Sequence, residues 1–201
     1  MIAVIDYGAG NLFSVCNALK FLGIAHEVTK EAAVLDRADA VILPGVGAFP
    51  AAMEALTATG LTDTIINNAH KKPLLGICLG MQMLFDSSDE MGETAGLGLI
   101  PGRVSRIPSE QVIIPHMGWN ELVITQECPL LAGIEQPVYT YFVHSYQAFC
   151  DDRNIVAYCD YDGKVPALVT DGKFVFGAQF HPEKSGEKGL MMLRRFEEMA
   201  R

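Results

Sequence analysis

The segment KPLLGICLGMQMLF, residues 72–85, decides how the rest of the sequence is read. Residues 73–77 read as a short buried strand and residues 79–85 as a helix. Between them stands one thiol, Cys78, with Gly76 two residues before it and Gly80 two residues after. A strand that turns directly into a helix is the repeating unit of a parallel sheet with helices on its faces. The same alternation runs through the first 87 residues. Strands are predicted at 2–6, 25–29 and 40–43, and helices at 48–56 and 63–70. Asn11 can cap another helix, in which Leu12, Val15, Cys16, Leu19 and Leu22 fall at helical spacing.

From about residue 99 the texture changes. Strand-like segments at 102–107, 121–125, 138–143, 155–158, 167–170 and 173–180 come without long helices between them. Turn signals such as YDGK (161–164) and TDGK (170–173) separate some of them. A final helix carries the stripe Met192, Leu193, Phe196 and Met199 or Ala200. The expectation is one α/β domain spanning 1–201. Its central sheet is open and mostly parallel, flanked by helices, with antiparallel strands added in the second half.

Composition narrows the function. The 201 residues are half hydrophobic, enough for a sizeable core. The net charge is −9, from 15 basic and 24 acidic residues, with no basic run to meet a phosphate backbone. The opening MIAVIDYGAG reads as a core strand, and no apolar run reaches the length of a membrane span. Five cysteines without a Cys-x-x-Cys pair suit neither a disulfide framework nor a zinc knuckle. These features lead to the expectation of a cytoplasmic protein without nucleic-acid or membrane partners and without a metal.

Gly76-Ile77-Cys78-Leu79-Gly80 has the Gly-x-nucleophile-x-Gly form of a nucleophile elbow, with Cys in place of Ser. A tight strand-to-helix turn brings backbone close, so side chains at the flanking positions would collide. The following helix presents free N–H groups and a partial positive charge, which favour an anionic sulfur and an oxyanion. The N–H of Leu79 is the natural donor. A free cysteine is ordinarily a small core hydrophobe, and Cys16, Cys128, Cys150 and Cys159 take that reading. The glycines and the strand–helix corner set Cys78 apart.

A thiol nucleophile needs a histidine, and the histidine needs an orienting group. His26 and His70 fall at predicted surface positions. In FGAQFHPEKSG, His181 and Glu183 are two apart and share a face on extended backbone, which Pro182 favours. A surface turn would look the same in isolation; beside the cysteine elbow it becomes a candidate base and its orienter. LPGVGAF, residues 43–49, also follows a predicted strand, so it falls at the same carboxyl edge as Cys78. There Gly45, Val46 and Gly47 can bring an N–H to a ligand. A dinucleotide loop at DYGAGN is disfavoured because Phe13 stands where the third glycine belongs.

GICLGMQ, LPGVGAF and FHPEKSG together resemble the class I, triad-type glutamine amidotransferases, a family with a flavodoxin-like sheet. DYGAGNLFSV (6–15), PHMGWN (115–120) and YFVHSY (141–146) are similar to the glutaminase subunits of imidazole glycerol phosphate synthases. The resemblance covers essentially the whole chain. It implies that Cys78 forms a γ-glutamyl thioester, that His181 activates it and then protonates the leaving ammonia, and that Glu183 orients His181. Gly45, Val46, Gly47 and Leu79 would surround the oxyanion, and Gln82, Ser145 and Tyr146 would grip L-glutamine. The partner would be a (β/α)₈-barrel cyclase in a heterodimer, with no cofactor. Asn11, Met117, Trp119 and Lys184 would contact it, although Trp119 by itself would read as a core aromatic. His116 and His144 stay open between interface and buried roles. Three alternatives remain: a glutaminase for another synthase such as anthranilate synthase, a silent binding protein on this fold, and a cysteine peptidase.

Overall fold

Strands that carry apolar residues on both faces are stable only between two layers. β1 (Ile2–Ile5), β3 (Ala40–Gly45) and β4 (Leu74–Cys78) follow that rule in a computed structural model that describes residues 1–108 and 111–200, and the polar β2 (His26–Thr29) forms the edge of the sheet. β1, β3 and β4 are buried along their whole length. They lie parallel, with β2 and β3 on either side of β1 and β4 beyond β3.

Alternate residues of each strand feed opposite cores. Ile2, Val4, Ala40, Ile42, Leu75 and Ile77 pack with Val15 and Leu19 of α1 (Leu12–Phe21). Ala3, Ile5, Val41, Leu43 and Leu74 pack on the other face. That face is covered by α2 (Ala32–Arg37), α3 (Phe49–Ala58) and α4 (Thr62–Ala69). α2 escaped sequence reading because six residues are too few to display a period.

The segment after Cys78 departs from expectation. The helix predicted to reach residue 85 is the single turn α5 (Leu79–Gln82). Past that turn the carbonyls of residues 83–85 accept from a neighbouring segment, which draws the chain into strand pairing: Leu97 N donates to Met83 O, Leu99 N to Leu84 O and Gly98 N to Phe85 O, at 2.8–3.1 Å. The chain continues instead as β5 (Phe85–Ser88), which joins β6 (Thr94–Ala95) and β7 (Ile100–Arg106).

The second half contains the expected antiparallel pairing. β8 (His116–Glu121) forms a two-stranded ribbon with β10 (Tyr139–His144); β9 (Val123–Ile124) lies between them in sequence. β11 (Tyr146–Phe149) completes the small sheet with β7. β12 (Ile155–Asp160), β13 (Lys164–Thr170) and β14 (Val175–Ala178) extend the central sheet, whose full order is β2-β1-β3-β4-β14-β13-β12-β9. β14 runs parallel to β4, and β13, β12 and β9 add antiparallel pairs. α6 (Gly186–Glu198) returns beside α1, burying Met192, Leu193 and Phe196 in the shared core. Among the described residues, no helix is long and apolar enough to cross a membrane.

Candidate active site

Three adjacent strands, β3, β4 and β14, end at the same edge of the sheet. Register sets Gly45 opposite Cys78, and Ala178 opposite Ile77. The loops leaving these ends carry Gly47, Leu79 and His181, so one pairing pattern gathers residues from three distant parts of the sequence.

The corner itself is tight. Cys78 has φ +54° and ψ −111°, a strained conformation for a residue with a side chain. A Cβ at Gly76 would lie 2.6 Å from Gly80 O, and one at Gly80 would fall on Leu43 O. Gly45 is equally confined, since a Cβ there would meet Gly80 N at 2.6 Å and the Tyr7 hydroxyl at 2.9 Å. Gly47 differs: it has φ +102° and open space around it. Gly45 is therefore a packing glycine and Gly47 a conformational one. Because α5 is one turn long, its dipole is small; the main cationic group near the sulfur is a side chain.

That group is His181. Its Nδ1 bonds Glu183 Oε1 at 2.8 Å, and both side chains are almost completely buried. Nε2 closes no hydrogen bond among the described residues, and it lies beside the Cys78 sulfur, whose interaction with the ring favours the charged form. Burial works against a charged imidazole, but Cys78 and Glu183 outweigh it and raise His181 to about 9. His181 then holds its proton at neutral pH, ready to give it to a leaving group. Burial instead pushes Cys150 up to about 11 and Cys159 to about 12, suiting their packing role.

The raised value has a consequence for stability. The folded chain holds this proton more tightly than the unfolded chain, so the contribution is complete below about pH 6.5 and is lost as pH rises through about 9. The Tm advantage of the native chain over His181→Gln should therefore shrink between pH 6 and pH 9.5. An advantage independent of pH would mean that His181 is neutral throughout.

A cleft of about 450 Å³ opens over the corner. Val46, Gly47, Cys78, Leu79, Gln82, Ser145, Tyr146 and His181 all line it, which brings the expected residues together. Gly45 lies below, in β3, and Glu183 behind His181. Val46 is 42% exposed at the rim. The Gln82 amide nitrogen is engaged with Tyr146 O at 3.1 Å and Gln179 Oε1 at 3.0 Å, so Gln82 is held in place by the wall it belongs to. His26 and His70 do not reach the cleft.

Some neighbours were not expected. Glu90 lines the cleft, fixed by the N–H of Phe49 at 2.8 Å. It comes from a turn with no periodic signal. Gln179, fully buried, donates to Cys78 Sγ at 3.9 Å. A clue was available here: Gln179 stands two residues before His181 on extended chain, next to the strand end that pairs with the cysteine strand. His116 and His144 are both buried and bonded within the protein, which excludes the interface option for them.

Outside the cleft, Met117 and Trp119 are 62% and 54% exposed, so Trp119 is no core aromatic. Trp119 leans on Tyr141 edge-on and sits near Gly186. Lys184 is exposed in the turn Pro182–Lys184, which packs against α1. Asn11 Oδ1 caps α1 by accepting from Ser14 N at 3.3 Å.

The family model for glutamine amidotransferase class-I matches residues 3–199. The chain is 47% identical over 201 residues to the imidazole glycerol phosphate synthase subunit HisH of Listeria monocytogenes, covering 99% of this chain and 96% of that protein. It is 50% identical over 198 residues to the corresponding subunit of Bacillus cereus, covering 98% and 94%. Among solved structures, a glutamine amidotransferase superimposes with a TM-score of 0.77 at 22% identity, covering 100% of this chain and 99% of that one. PurLQS from Thermotoga maritima gives 0.74 at 22%, covering 97% and 96%. At such identities the superpositions speak for the fold alone.

Proposed function

The chain belongs to the class-I glutamine amidotransferases, and on that premise we propose that it is the glutaminase subunit of an imidazole glycerol phosphate synthase in histidine biosynthesis. The observation that carries the chemistry is the buried His181–Glu183 pair with an unpartnered Nε2 beside a strained cysteine corner. All of 1–201 acts as one glutaminase domain, and its setting is the cytoplasm.

The Cys78 sulfur, its proton taken up by His181 Nε2, attacks the side-chain amide carbon of L-glutamine. The carbonyl oxygen becomes an oxyanion, held by the N–H groups of Leu79 and Gly47. His181 Nε2 gives its proton to the amide nitrogen, the C–N bond breaks, and ammonia leaves a γ-glutamyl thioester on Cys78. Water then attacks the thioester carbon, giving its proton to His181. The C–S bond breaks and glutamate departs. Glu183 holds the ring with Nε2 toward the reacting atoms. Gln82, Ser145 and Tyr146 orient the amino acid.

Ammonia passes within the complex to a (β/α)₈-barrel cyclase, which uses it to make imidazole glycerol phosphate and AICAR from N′-(5′-phosphoribulosyl)formimino-AICAR. Met117 and Trp119 are exposed anchors for that partner, with Asn11 and Lys184 beside them; tryptophan is enriched at such contacts. The test is glutamate release from glutamine by the chain alone, with the cyclase, and with cyclase plus its nucleotide ligand. A large rise with both additions is expected. No rise with the cyclase would point to another synthase.

Gly47 supplies the movable part of the oxyanion loop, because Gly45 is locked against Gly80 and Leu79. Gly47→Ala places a side chain at φ +102° and should cut ligand-stimulated turnover by roughly 10²–10³, the worth of one oxyanion donor. Unchanged stimulation would eliminate a gate at this loop.

A further inference from the structure

Two buried histidines that the chemistry does not use form a chain of hydrogen bonds. Asn120 Nδ2 meets His116 Nε2 at 2.8 Å. His116 Nδ1 meets His144 Nε2 at 3.1 Å. His144 Nδ1 meets Tyr146 O at 2.8 Å. The two ends fix the direction of every bond between them. The Tyr146 carbonyl only accepts, so His144 Nδ1 carries a hydrogen. The Asn120 amide nitrogen only donates, so His116 Nε2 is a bare acceptor and the hydrogen of that ring is on Nδ1. His116 Nδ1 therefore donates to His144 Nε2, which carries none.

Both rings must therefore be neutral. Their surroundings agree: burial drives His116 down to about 4. For His144, burial outweighs the Tyr146 carbonyl and, with the neighbouring His116 and His181, drives it down to about 3. Stacking fixes the ring planes as well. His116 lies between Tyr161, at 3.9 Å between centroids, and Phe142, at 4.7 Å.

The chain continues to the sulfur. Tyr146 O also accepts from Gln82 Nε2, Gln82 Nε2 donates to Gln179 Oε1, and Gln179 Nε2 donates to Cys78 Sγ. Its other end is on β8, where His116 and Asn120 flank the exposed pair Met117 and Trp119 and lie on the opposite face of the strand from them.

We propose that Asn120, His116 and His144 form a one-way hydrogen-bond relay of positioning residues, fixing the Tyr146 carbonyl and Gln82 for glutamine and tying the pocket to the outward-facing strand β8. This rests on the reading of the cleft as a glutamine pocket. None of the three needs to touch the reacting atoms. They act by fixing Tyr146 O, the point at which His144 and Gln82 converge. An acceptor at position 120 demands a hydrogen on His116 Nε2, so the chain must either set two lone pairs face to face at one of its joints or place a charge on the buried His116 ring, and either outcome works against the native arrangement.

The test compares the native chain with Asn120→Asp, which has nearly the same shape but cannot donate, and with Asn120→Ala, which leaves room for water to donate. In ¹⁵N-histidine NMR, His116 and His144 of the native chain should both carry hydrogen on Nδ1 and stay neutral from pH 8 to pH 5. Asn120→Asp should move a proton to His116 Nε2. Inactivation of the isolated chain by a glutamine-like diazoketone then reads the pocket. Asn120→Asp should raise the half-saturating concentration about tenfold, with the maximal rate within threefold, and Asn120→Ala should stay within about twofold of native. Hydrogen on Nε2 of either ring in the native chain, or equal half-saturation in all three proteins, would overturn the relay. The native spectrum decides even where Asn120→Asp does not fold. A native chain that takes no label overturns the glutamine pocket, and the inference falls with it; the spectrum distinguishes that failure from failure of the relay itself.

Discussion

Cys78→Ala should lower glutaminase turnover by roughly 10⁴-fold or more, the scale on which removing a nucleophile acts. Its fold should survive, because the cysteine's φ of +54° is set by the packed glycines around it rather than by its side chain. His181→Ala should cost nearly as much, and the double variant little more than either, since the two residues act as one unit. Glu183→Gln keeps the shape but offers a neutral oxygen or an N–H to His181 Nδ1. It removes the charge that helps to hold the proton on the ring, and turnover should fall by roughly 10³–10⁴. Steady-state kinetics with glutamine in the stimulated complex measures all four. Additive losses, or a Glu183→Gln variant within tenfold of native, would contradict a coupled triad.

The second large effect is on folding. A methyl group at Gly80 would fall on Leu43 O, which is main chain and cannot rotate away. β3 would have to separate from α5, opening the contact that aligns Gly45 with Cys78. Gly80→Ala should therefore destabilise by about 3 kcal/mol or more, at the upper end of overpacking costs. Denaturant unfolding of the purified chain measures it. Gly47→Ala is the matched control, since no atom lies within 4 Å of its Cβ position, and it should lose activity with a much smaller stability change. If Gly80→Ala unfolds at the native midpoint, the close packing at the corner is not what shapes it.

How much of this was legible beforehand differs from one element to the next. The β3, β4 and β14 segments are runs of apolar residues bounded by glycine and proline, so their strand character and the corner at Cys78 could be read directly. Pairing then brought Gly45 and His181 to that corner, as their positions after strands implied. The sequence extends the helix after Cys78 too far, because Leu84 and Phe85 fit a helical stripe equally well. What ends it is a backbone segment ten or more residues later, and no local pattern encodes that. The strand expected at 121–125 is β9, whereas β8 gives no sequence signal, because its inward residues, His116, Gly118 and Asn120, are not apolar. Their fitness for the interior lies in hydrogen bonds to His144 and to each other, which only the assembled ribbon creates. Gln179 and Glu90 share that difficulty: each is a polar residue whose role is set by a partner distant in sequence.

The most direct measurement is the mass of the Cys78 peptide after the native chain, with cyclase and nucleotide ligand bound, is mixed with glutamine and quenched in acid. A transient addition of one γ-glutamyl group on Cys78 is expected, absent from Cys78→Ala and longer-lived where His181 is replaced. Glutamate release that continues in Cys78→Ala, or an adduct on any other residue, would contradict it.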